Sequence, residues 1–408
     1  MPRIPRQPDT NIGTAGHVDH GKSTIVEAIT GVWTSAHSEE LRRGITIKVG
    51  YADAAIYKCP SCEPPRSYST SPKCSRCGSE GELRRVVSFV DCPGHESLMA
   101  NMLSGAAVMD GAVLVIAANE KVPQPQTREH LLALQMLGTK QIVIAQNKVD
   151  LISDAEARAH YSSIKSFVAE TVGEKAPIVP LSAQHKLNID ALLMAIDENI
   201  KTVERDPNAA PMMQVLRSFD INKPGATVDS LKGGVAGGTL LKGVLNAGEQ
   251  IEIRPGIADE KGRYESVFTK IASLATGAGL TETVRPGGLI ALGTELDPSL
   301  AKSDGLVGSL IGMADKLPPV YESLNVEAQL FDIAVGAPEM VKVDKVKAGE
   351  ALRLNVGTAV TAGVVASAKD SSFAVKLRRP VCVPESSRVA ISRRIGERWR
   401  LIGSGTIA

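Results

Sequence analysis

Residues 1–206 alternate short apolar runs with longer segments in which apolar positions recur at helical spacing. The apolar runs predict strands at 11–15, 85–91, 112–117, 141–146 and 178–181. The longer segments predict helices at 22–30, 96–104, 127–137, 155–171 and 189–200. This alternation is typical of a parallel sheet with crossover helices on both faces.

The pattern changes after residue 206, where short apolar runs are separated by turn signals such as KPG and RPG. No long helical pattern interrupts these runs. Closely spaced short strands with such turns predict β-barrels, and Pro318-Pro319 marks a boundary between two of them. We therefore predict an α/β domain at 1–206, a β-barrel domain at 207–320 and a second β-barrel domain at 321–408.

Composition narrows the class of protein. A chain of 408 residues is longer than one hydrophobic core usually supports. Its net charge of +1 and aromatic content of 3% argue against a polycationic protein and against a large base-stacking surface. Apolar runs of membrane-spanning length and a secretory signal are both missing from the sequence, so we expect no membrane partner and a cytoplasmic location.

A phosphate-binding loop follows the first predicted strand. Residues 16–23, the phosphate loop, read GHVDHGKS and match G-x-x-x-x-G-K-[ST] between a strand and a helix. In such a loop backbone N–H groups surround the phosphates, Lys22 reaches the β and γ oxygens, and Ser23 offers its hydroxyl to Mg²⁺. Asp19 either stabilises the loop through a hydrogen bond or lies near a second cation.

Three further motifs at strand ends select the nucleotide. DCPG places Asp91 near the metal and the Gly94 N–H near a γ-phosphate. NKVD ends at Asp150, whose carboxylate can accept both the N1–H and the N2–H₂ of guanine, a pair that adenine does not offer. Ser182-Ala183 follows the last strand of the domain and can supply a backbone N–H to guanine O6. These motifs predict a GTP-binding protein rather than an ATPase.

The RRGIT motif and the residue after DCPG supply the remaining parts of a GTPase. Thr46 is the candidate for the second protein ligand of Mg²⁺, and such a ligand orders its loop with GTP and relaxes it with GDP. His95 is placed to orient the attacking water. The predicted catalytic residues are Lys22, Thr46 and His95. The predicted nucleotide-binding residues are Asp19, His20, Gly21, Lys22, Ser23, Thr24, Asp91, Gly94, Asn147, Lys148, Asp150, Ser182, Ala183 and Gln184.

Four of the six cysteines form two C-x-x-C pairs separated by eleven residues, namely Cys59, Cys62, Cys74 and Cys77. Four thiolates close a tetrahedral site and suit structural zinc, and the segment between the pairs has too little to bury to fold without metal. We therefore predict a zinc-knuckle insertion at about 57–80. Because it lies between Thr46 and Asp91, we expect it to brace or extend the segments that sense the γ-phosphate.

The motifs together resemble those of the translational GTPases, since GHVDHGKS, RRGITI and DCPGHE form a specific set. PQTREH is shared with elongation factor Tu. Its extended form PQPQT resembles the gamma subunit of archaeal and eukaryotic translation initiation factor 2. Further similar segments are RSFDINKPG, LKGGVAGG, LRRP and ISRRIGERWRLI, so the resemblance spans essentially the whole chain.

The resemblance implies a fold, partners and a reaction. It implies an α/β P-loop GTPase domain with a zinc-knuckle insertion, followed by two all-β barrel domains. It implies delivery of methionylated initiator tRNA to the small ribosomal subunit as the core of a heterotrimer. An alpha subunit would contact the second domain and a beta subunit the GTPase domain. It also implies GTP or GDP with Mg²⁺, slow unassisted hydrolysis, and a second Mg²⁺ at Asp19 and Gly44.

Two alternatives remain at this stage. One is an elongation-factor-like GTPase that delivers elongator aminoacyl-tRNA. The other is a zinc-dependent nucleic-acid-binding module with a regulatory nucleotide site. A run from Lys369 to Arg400 holds nine Lys or Arg residues against three acidic ones, and the resemblance favours a tRNA-facing strip over a solvated barrel surface there.

Overall fold

The computed structural model describes residues 4–34, 46, 48–223, 225, 227, 230–335 and 341–408. The chain divides into two compact units, Met1–Val203 and Glu204–Ala408. The predicted boundary at residue 206 lies three residues beyond this division and remains a prediction. Within the described residues, no helix combines the length and the apolar character needed to cross a membrane.

The first unit is a seven-stranded sheet with helices on both faces, which confirms the predicted α/β class. Its strands are β1 (Thr10–Ala15), β2 (Gly50–Lys58), β3 (Tyr68–Ser69), β4 (Glu82–Asp91), β5 (Gly111–Ala117), β6 (Ile142–Asn147) and β7 (Ile178–Pro180). Its helices are α1 (Lys22–Thr30), α2 (Met99–Ala106), α3 (Pro125–Leu137), α4 (Asp154–Val168) and α5 (Ile189–Asn199). Single 3₁₀ turns lie at Glu96–Leu98 and Val149–Leu151.

The strand order is β3-β2-β4-β1-β5-β6-β7. From β4 to β7 neighbouring strands run parallel, whereas β2 runs antiparallel to β4. The carboxyl ends of β1, β4, β6 and β7 therefore meet at one edge of the sheet. Because the phosphate loop, DCPG, NKVD and Ser182-Ala183 each follow one of those ends, the topology brings all four to the same edge.

Strand β2 was not among the predicted strands. Its sequence, GYADAAIYK, is rich in alanine, a residue depleted in strands. Pairing with the buried strand β4 and packing of Ala52, Ala54 and Ile56 into the core of the first unit override that preference. Tertiary contacts therefore decide the structure of this segment.

The second unit contains two closed six-stranded barrels, as predicted. The first is built from β8 (Met212–Phe219), β9 (Val235–Lys242), β11 (Gln250–Ala258), β12 (Tyr264–Thr276), β15 (Ile290–Thr294) and β16 (Leu310–Gly312). The ring closes through pairing of β11 with β12. The segment that forms this barrel also contains three short strands and a one-turn helix, namely β10 (Leu245–Asn246), β13 (Gly279–Thr281), β14 (Thr283–Val284) and α6 (Pro298–Ala301).

The second barrel has the strand order β17-β20-β19-β18-β21-β22 and closes through pairing of β17 with β22. Its strands are β17 (Val320–Leu330), β18 (Ala351–Val356), β19 (Ala359–Lys369), β20 (Ser372–Cys382), β21 (Arg388–Ile395) and β22 (Arg398–Ile407). At the predicted boundary, Arg254 of the first barrel donates to the carbonyls of Leu317 and Pro318 at 3.2 Å. The Cys382 thiol also donates to the Pro318 carbonyl, at 3.2 Å.

The basic residues between 369 and 400 do not form one strip. Strands β20 and β21 are three strands apart in either direction around the ring, so Lys376 lies on the opposite side of the barrel from Arg394. Arg393 is held by the Glu350 carboxylate and the Asp344 carbonyl. The single tRNA-facing strip that the family resemblance favoured is therefore wrong, and the exposed basic residues fall into two separate groups.

Candidate functional site

The phosphate loop is folded around the side chain of Lys22. Its ammonium donates to the carbonyls of Gly16 at 3.0 Å and His17 at 2.7 Å. Complete burial lowers the pKa of Lys22 to about 8, although the Asp91 carboxylate acts in the opposite direction. The loop opens α1, so backbone N–H groups at the helix N-terminus and a buried cation converge where phosphates bind.

The DCPG segment packs directly on the phosphate loop. A Cβ atom at Gly94 would lie 2.3 Å from Lys22 Nζ and 2.9 Å from the Val18 backbone nitrogen. Only glycine fits so close an approach, and it leaves the backbone next to the position of the terminal phosphate. The structure thus brings Gly94 and Lys22 together, as the sequence predicted.

The Asp91 carboxylate is buried and accepts three hydroxyl hydrogen bonds. Thr14 of β1 donates to Oδ1 at 2.7 Å, and Ser23 of α1 donates to Oδ2 at 2.6 Å. Thr34, which no sequence motif marked, donates to Oδ2 at 2.5 Å. The Ser23 hydroxyl also lies 3.1 Å from that of Thr46. Three sequence motifs therefore converge on one group of oxygen atoms, the donor type that Mg²⁺ prefers.

The guanine-binding motifs are joined by Asn147. Its Oδ1 accepts from the Ala183 N–H at 3.0 Å, and its Nδ2 donates to the His20 carbonyl at 2.9 Å. Asp150 lies beside this junction, with its carboxylate 3.6 Å from His185 Nε2. One buried amide thus connects NKVD, the loop at 182–184 and the phosphate loop.

Two buried histidines support the phosphate loop. The Gly16 N–H donates to His130 Nδ1 at 2.9 Å, so the His130 ring is neutral, and burial lowers its pKa well below the usual value. His20 contacts the Val115 carbonyl and the Glu120 carboxylate. Burial lowers the pKa of His20 to about 4, although both of those partners favour the charged ring. His130 lies within PQTREH, a motif that carries the family resemblance but predicts no role for this histidine.

Several predicted residues lie at the edge of the site or outside the described residues. His95 is exposed, and within the described chain its ring hydrogen-bonds only to Ser97, with Nδ1 2.8 Å from the hydroxyl. Asp19 is exposed in a left-handed conformation, φ 60°, and makes no hydrogen bond with another described residue. Thr24 is half-buried and Gln184 is exposed. Gly44 lies outside the described residues.

The four cysteines form one cluster. Their sulfur atoms all lie within 4.8 Å of one another, with Cys59 and Cys77 at 3.4 Å and Cys62 and Cys74 at 3.8 Å. Zinc–sulfur bonds of about 2.3 Å in a tetrahedron separate sulfur atoms by about 3.8 Å. The Ser79 hydroxyl lowers the pKa of Cys77 to about 6, whereas Cys77 itself raises that of Cys62 to about 12. The sulfur separations are compatible with one metal ion bound by all four cysteines.

The knuckle (residues 57–80) lies at the far end of the β2–β4 hairpin from the nucleotide site. Gly50 pairs with Asp91 at one end of the hairpin, and Lys58 pairs with Glu82 at the other. The ends of β4 are nine residue steps apart, which at about 3.3 Å per step separates them by about 30 Å. Among the described residues, the knuckle is therefore not an extension of the segments that sense the γ-phosphate.

The knuckle and the adjoining part of β4 are attached to helix α5. The Tyr68 hydroxyl donates to the Asp197 carboxylate at 3.2 Å, and Arg84 donates to the same carboxylate at 3.2 Å. Arg76 lies 3.6 Å from Asp190. Helix α5 is thus held near both of its ends by this segment.

Comparison with known families is consistent with this geometry. The profile "Elongation factor Tu GTP binding domain" matches residues 7–202, and "Initiation factor eIF2 gamma, C terminal" matches 322–407. A "Translation initiation factor 2 subunit gamma" from Archaeoglobus fulgidus is 56% identical over 98% of this chain and 94% of its own length. This chain belongs to the gamma subunits of translation initiation factor 2. The corresponding protein of Methanocaldococcus jannaschii is 54% identical over 98% of both chains.

Solved structures of other translation factors share the fold of the gamma subunit. "Bacterial selenocysteine-specific elongation factor EF-Sec" gives a TM-score of 0.73 at 22% identity, covering 100% of this chain and 58% of that one. SelB from Methanococcus maripaludis gives 0.72 at 20% identity, covering 99% and 80%. These similarities concern the fold alone. The near relatives are initiation factors, so the chain is a translational GTPase of initiation that binds GTP or GDP with Mg²⁺, and the elongation alternative is less supported.

The neutral state of His130 predicts an acid-sensitive GTPase domain. An unfolded histidine titrates near pH 6.5, whereas the buried ring stays neutral to much lower pH. The stability that this ring contributes is therefore complete above pH 6.5 and is lost below it, by about 1.4 kcal/mol per pH unit. We expect the free energy of unfolding, measured by denaturant titration, to fall more steeply than this, because the buried His20 ring loses stability over the same acid range. His130→Asn keeps an acceptor near Nδ1 but does not titrate, so its acid slope should be shallower. Equal slopes for the two proteins would contradict this role.

Proposed function

We propose that this gamma subunit carries methionylated initiator tRNA to the small ribosomal subunit in the cytoplasm, as the core of a heterotrimer. An alpha subunit would bind the first barrel and a beta subunit the GTPase domain. The observation that carries the proposal is the Ser23 hydroxyl, which hydrogen-bonds both Asp91 and Thr46. Loss of the γ-phosphate would change the contacts among the segments that carry Ser23, Thr46 and Asp91. A change of nucleotide would thereby change the conformation of the chain.

Each residue of the nucleotide site has a separate proposed role in binding the phosphates, Mg²⁺ or the base. Lys22 would hold the β and γ oxygens, Ser23 and Thr46 would be the protein ligands of Mg²⁺, and Asp91 would orient Ser23. Bound Mg²⁺ neutralises charge on the phosphates. Asp150 would recognise guanine, and Ala183 and Gln184 would complete the base pocket. The Ala183 N–H would exchange its hydrogen bond to Asn147 Oδ1 for one to guanine O6. We assign Asp19 and Gly44 to a second Mg²⁺.

His95 is proposed to orient the attacking water. Its exposed ring is hydrogen-bonded to Ser97 through Nδ1, which leaves Nε2 for the water, so this role requires the ring to turn its Nε2 edge toward the bound phosphates. Such a rearrangement, driven by a partner on the ribosome, accounts for hydrolysis that is slow in the isolated chain. In other GTPases a stimulating group raises the rate by roughly 10³ to 10⁵.

The choice of tRNA tests the proposal directly. With GTP and Mg²⁺, the assembled heterotrimer should bind initiator Met-tRNA more tightly than elongator Met-tRNA, and GDP should reduce that preference. Affinities are measured by filter binding. Because both tRNAs carry methionine, any difference in affinity comes from the tRNA body. Equal affinities, or tighter binding of the elongator, would overturn the proposal.

The exposed basic residues of β21 and β22 form the proposed tRNA surface in the second barrel, and Arg394 is its test residue. Arg394→Glu should weaken initiator-tRNA binding and reduce the slope of log affinity against log salt by about one phosphate contact. Lys376→Glu is the matched control, because it reverses another exposed cation, on the opposite side of the barrel. Equal effects of the two variants would contradict this surface. Arg393 is unsuitable as a probe because it is paired with Glu350.

We propose that Cys59, Cys62, Cys74 and Cys77 hold a structural zinc ion. The sulfur separations support this assignment, and the four ligands leave no open position for catalysis. Zinc would fix the knuckle, and Tyr68 and Arg76 would in turn fix α5.

Removing the metal tests what the knuckle supports. Cys62→Ser should lower the melting temperature of the chain and weaken binding of partner or tRNA, while GDP affinity stays within about threefold. The reason is that the nucleotide loops are held by Asn147 and Asp91, some 30 Å from the knuckle by strand length. Ser75→Ala alters an exposed knuckle residue that is not a ligand and serves as the control. A tenfold loss of GDP affinity would contradict this view, and zinc-dependent but nucleotide-independent tRNA binding would support the nucleic-acid-module alternative.

A further inference from the structure

We infer that Thr34 is a positioning residue of the Mg²⁺ site, acting through Asp91. The Thr34 hydroxyl donates to Asp91 Oδ2 at 2.5 Å, and the Ser23 hydroxyl donates to the same oxygen at 2.6 Å. The other carboxylate oxygen, Oδ1, accepts from Thr14 at 2.7 Å. Asp91 itself is fully buried. Thr34 therefore supplies one of three hydroxyl donors that fix this carboxylate.

The local structure holds Thr34 in place. After α1 ends, the Val32 N–H donates to the Thr30 hydroxyl at 3.1 Å, and that hydroxyl donates to the Val26 carbonyl at 2.7 Å. The chain then passes over the first residue of β2. A Cβ atom at Gly50 would lie 2.8 Å from the Thr34 Cβ, so only glycine leaves room for the threonine. Gly50 is also the residue that pairs with Asp91 across the sheet.

The chemistry follows from how Oδ2 is shared. A Ser23 hydroxyl that offers a lone pair to Mg²⁺ must direct its proton elsewhere, and Asp91 Oδ2 is the acceptor. The Thr34 hydroxyl occupies the second acceptor direction of that oxygen and prevents the carboxylate from rotating away. A buried carboxylate that loses one of its donors is less well fixed and less well solvated. Substitution of a residue that orients a metal ligand in this way typically lowers metal affinity 10- to 100-fold.

The test uses a hydroxyl-free variant of nearly the same shape. In the full chain, dissociation of a fluorescent GDP analogue is measured against free Mg²⁺ concentration. Thr34→Val should raise the Mg²⁺ midpoint about tenfold, while the rates at saturating and at zero Mg²⁺ stay close to those of the unaltered chain. Thr34→Ser restores the donor and should return the midpoint to within about twofold. A role in folding alone would not move the midpoint in this way.

Controls separate this inference from the assignment on which it rests, namely that Ser23 and Asp91 belong to the Mg²⁺ site. Ser23→Ala is measured in the same assay, and an unchanged midpoint in that variant would defeat the assignment itself. If Ser23→Ala shifts the midpoint but a folded Thr34→Val does not, the role of Thr34 alone is overturned. Failure of Thr34→Ser to rescue would also overturn it. Thr171→Val, a threonine bonded to the Val168 carbonyl away from the site, controls for loss of a hydroxyl as such.

Discussion

The nucleotide site depends on one buried carboxylate, that of Asp91. A carboxylate removed from water is costly unless donors surround it, and here three hydroxyls do so from three parts of the chain. All three hydrogen bonds to the Asp91 carboxylate form only when β1, β4 and the segments at both ends of α1 are correctly placed next to one another. The same oxygen accepts the Ser23 proton and so leaves a lone pair of Ser23 for the Mg²⁺ ion that we propose at this site. Stability and function are met by the same hydrogen bonds.

The loops of the nucleotide site are likewise held by hydrogen bonds to buried polar side chains. Lys22, His130 and Asn147 are polar side chains buried in the first unit, and each is bonded to backbone groups of a loop. Buried polar groups without partners are unfavourable, so each loop has one conformation that satisfies them.

The knuckle illustrates why position along the chain and position in space differ. In sequence it falls between Thr46 and Asp91, but the hairpin formed by β2 and β4 carries it away from both. Its contacts are with Asp190 and Asp197 of α5, which lies more than a hundred residues later in the chain. It is attached to α5 at the end of the hairpin opposite the nucleotide site.

The sequence alone determined the fold class, the nucleotide and the cysteine cluster, because each depends on local patterns. A phosphate loop needs glycine and lysine at fixed spacing, guanine recognition needs the NKVD aspartate, and four thiolates need two close pairs. Alternating strands and helices place those motifs at one sheet edge with few alternatives. The ten elements predicted in the first unit therefore lie within a few residues of where the structure has them.

Only the tertiary structure decided the contributions that depend on distant neighbours. Strand β2 is alanine-rich and becomes a strand through pairing with β4. Thr34 and His130 are single polar residues without a spacing signal, and contact with Asp91 and Gly16 is what gives them a role. The basic run around Arg394 is divided because strand order around a closed barrel does not follow sequence order. Local chemistry is encoded by spacing, whereas long-range contacts are fixed by burial and pairing that no short segment contains.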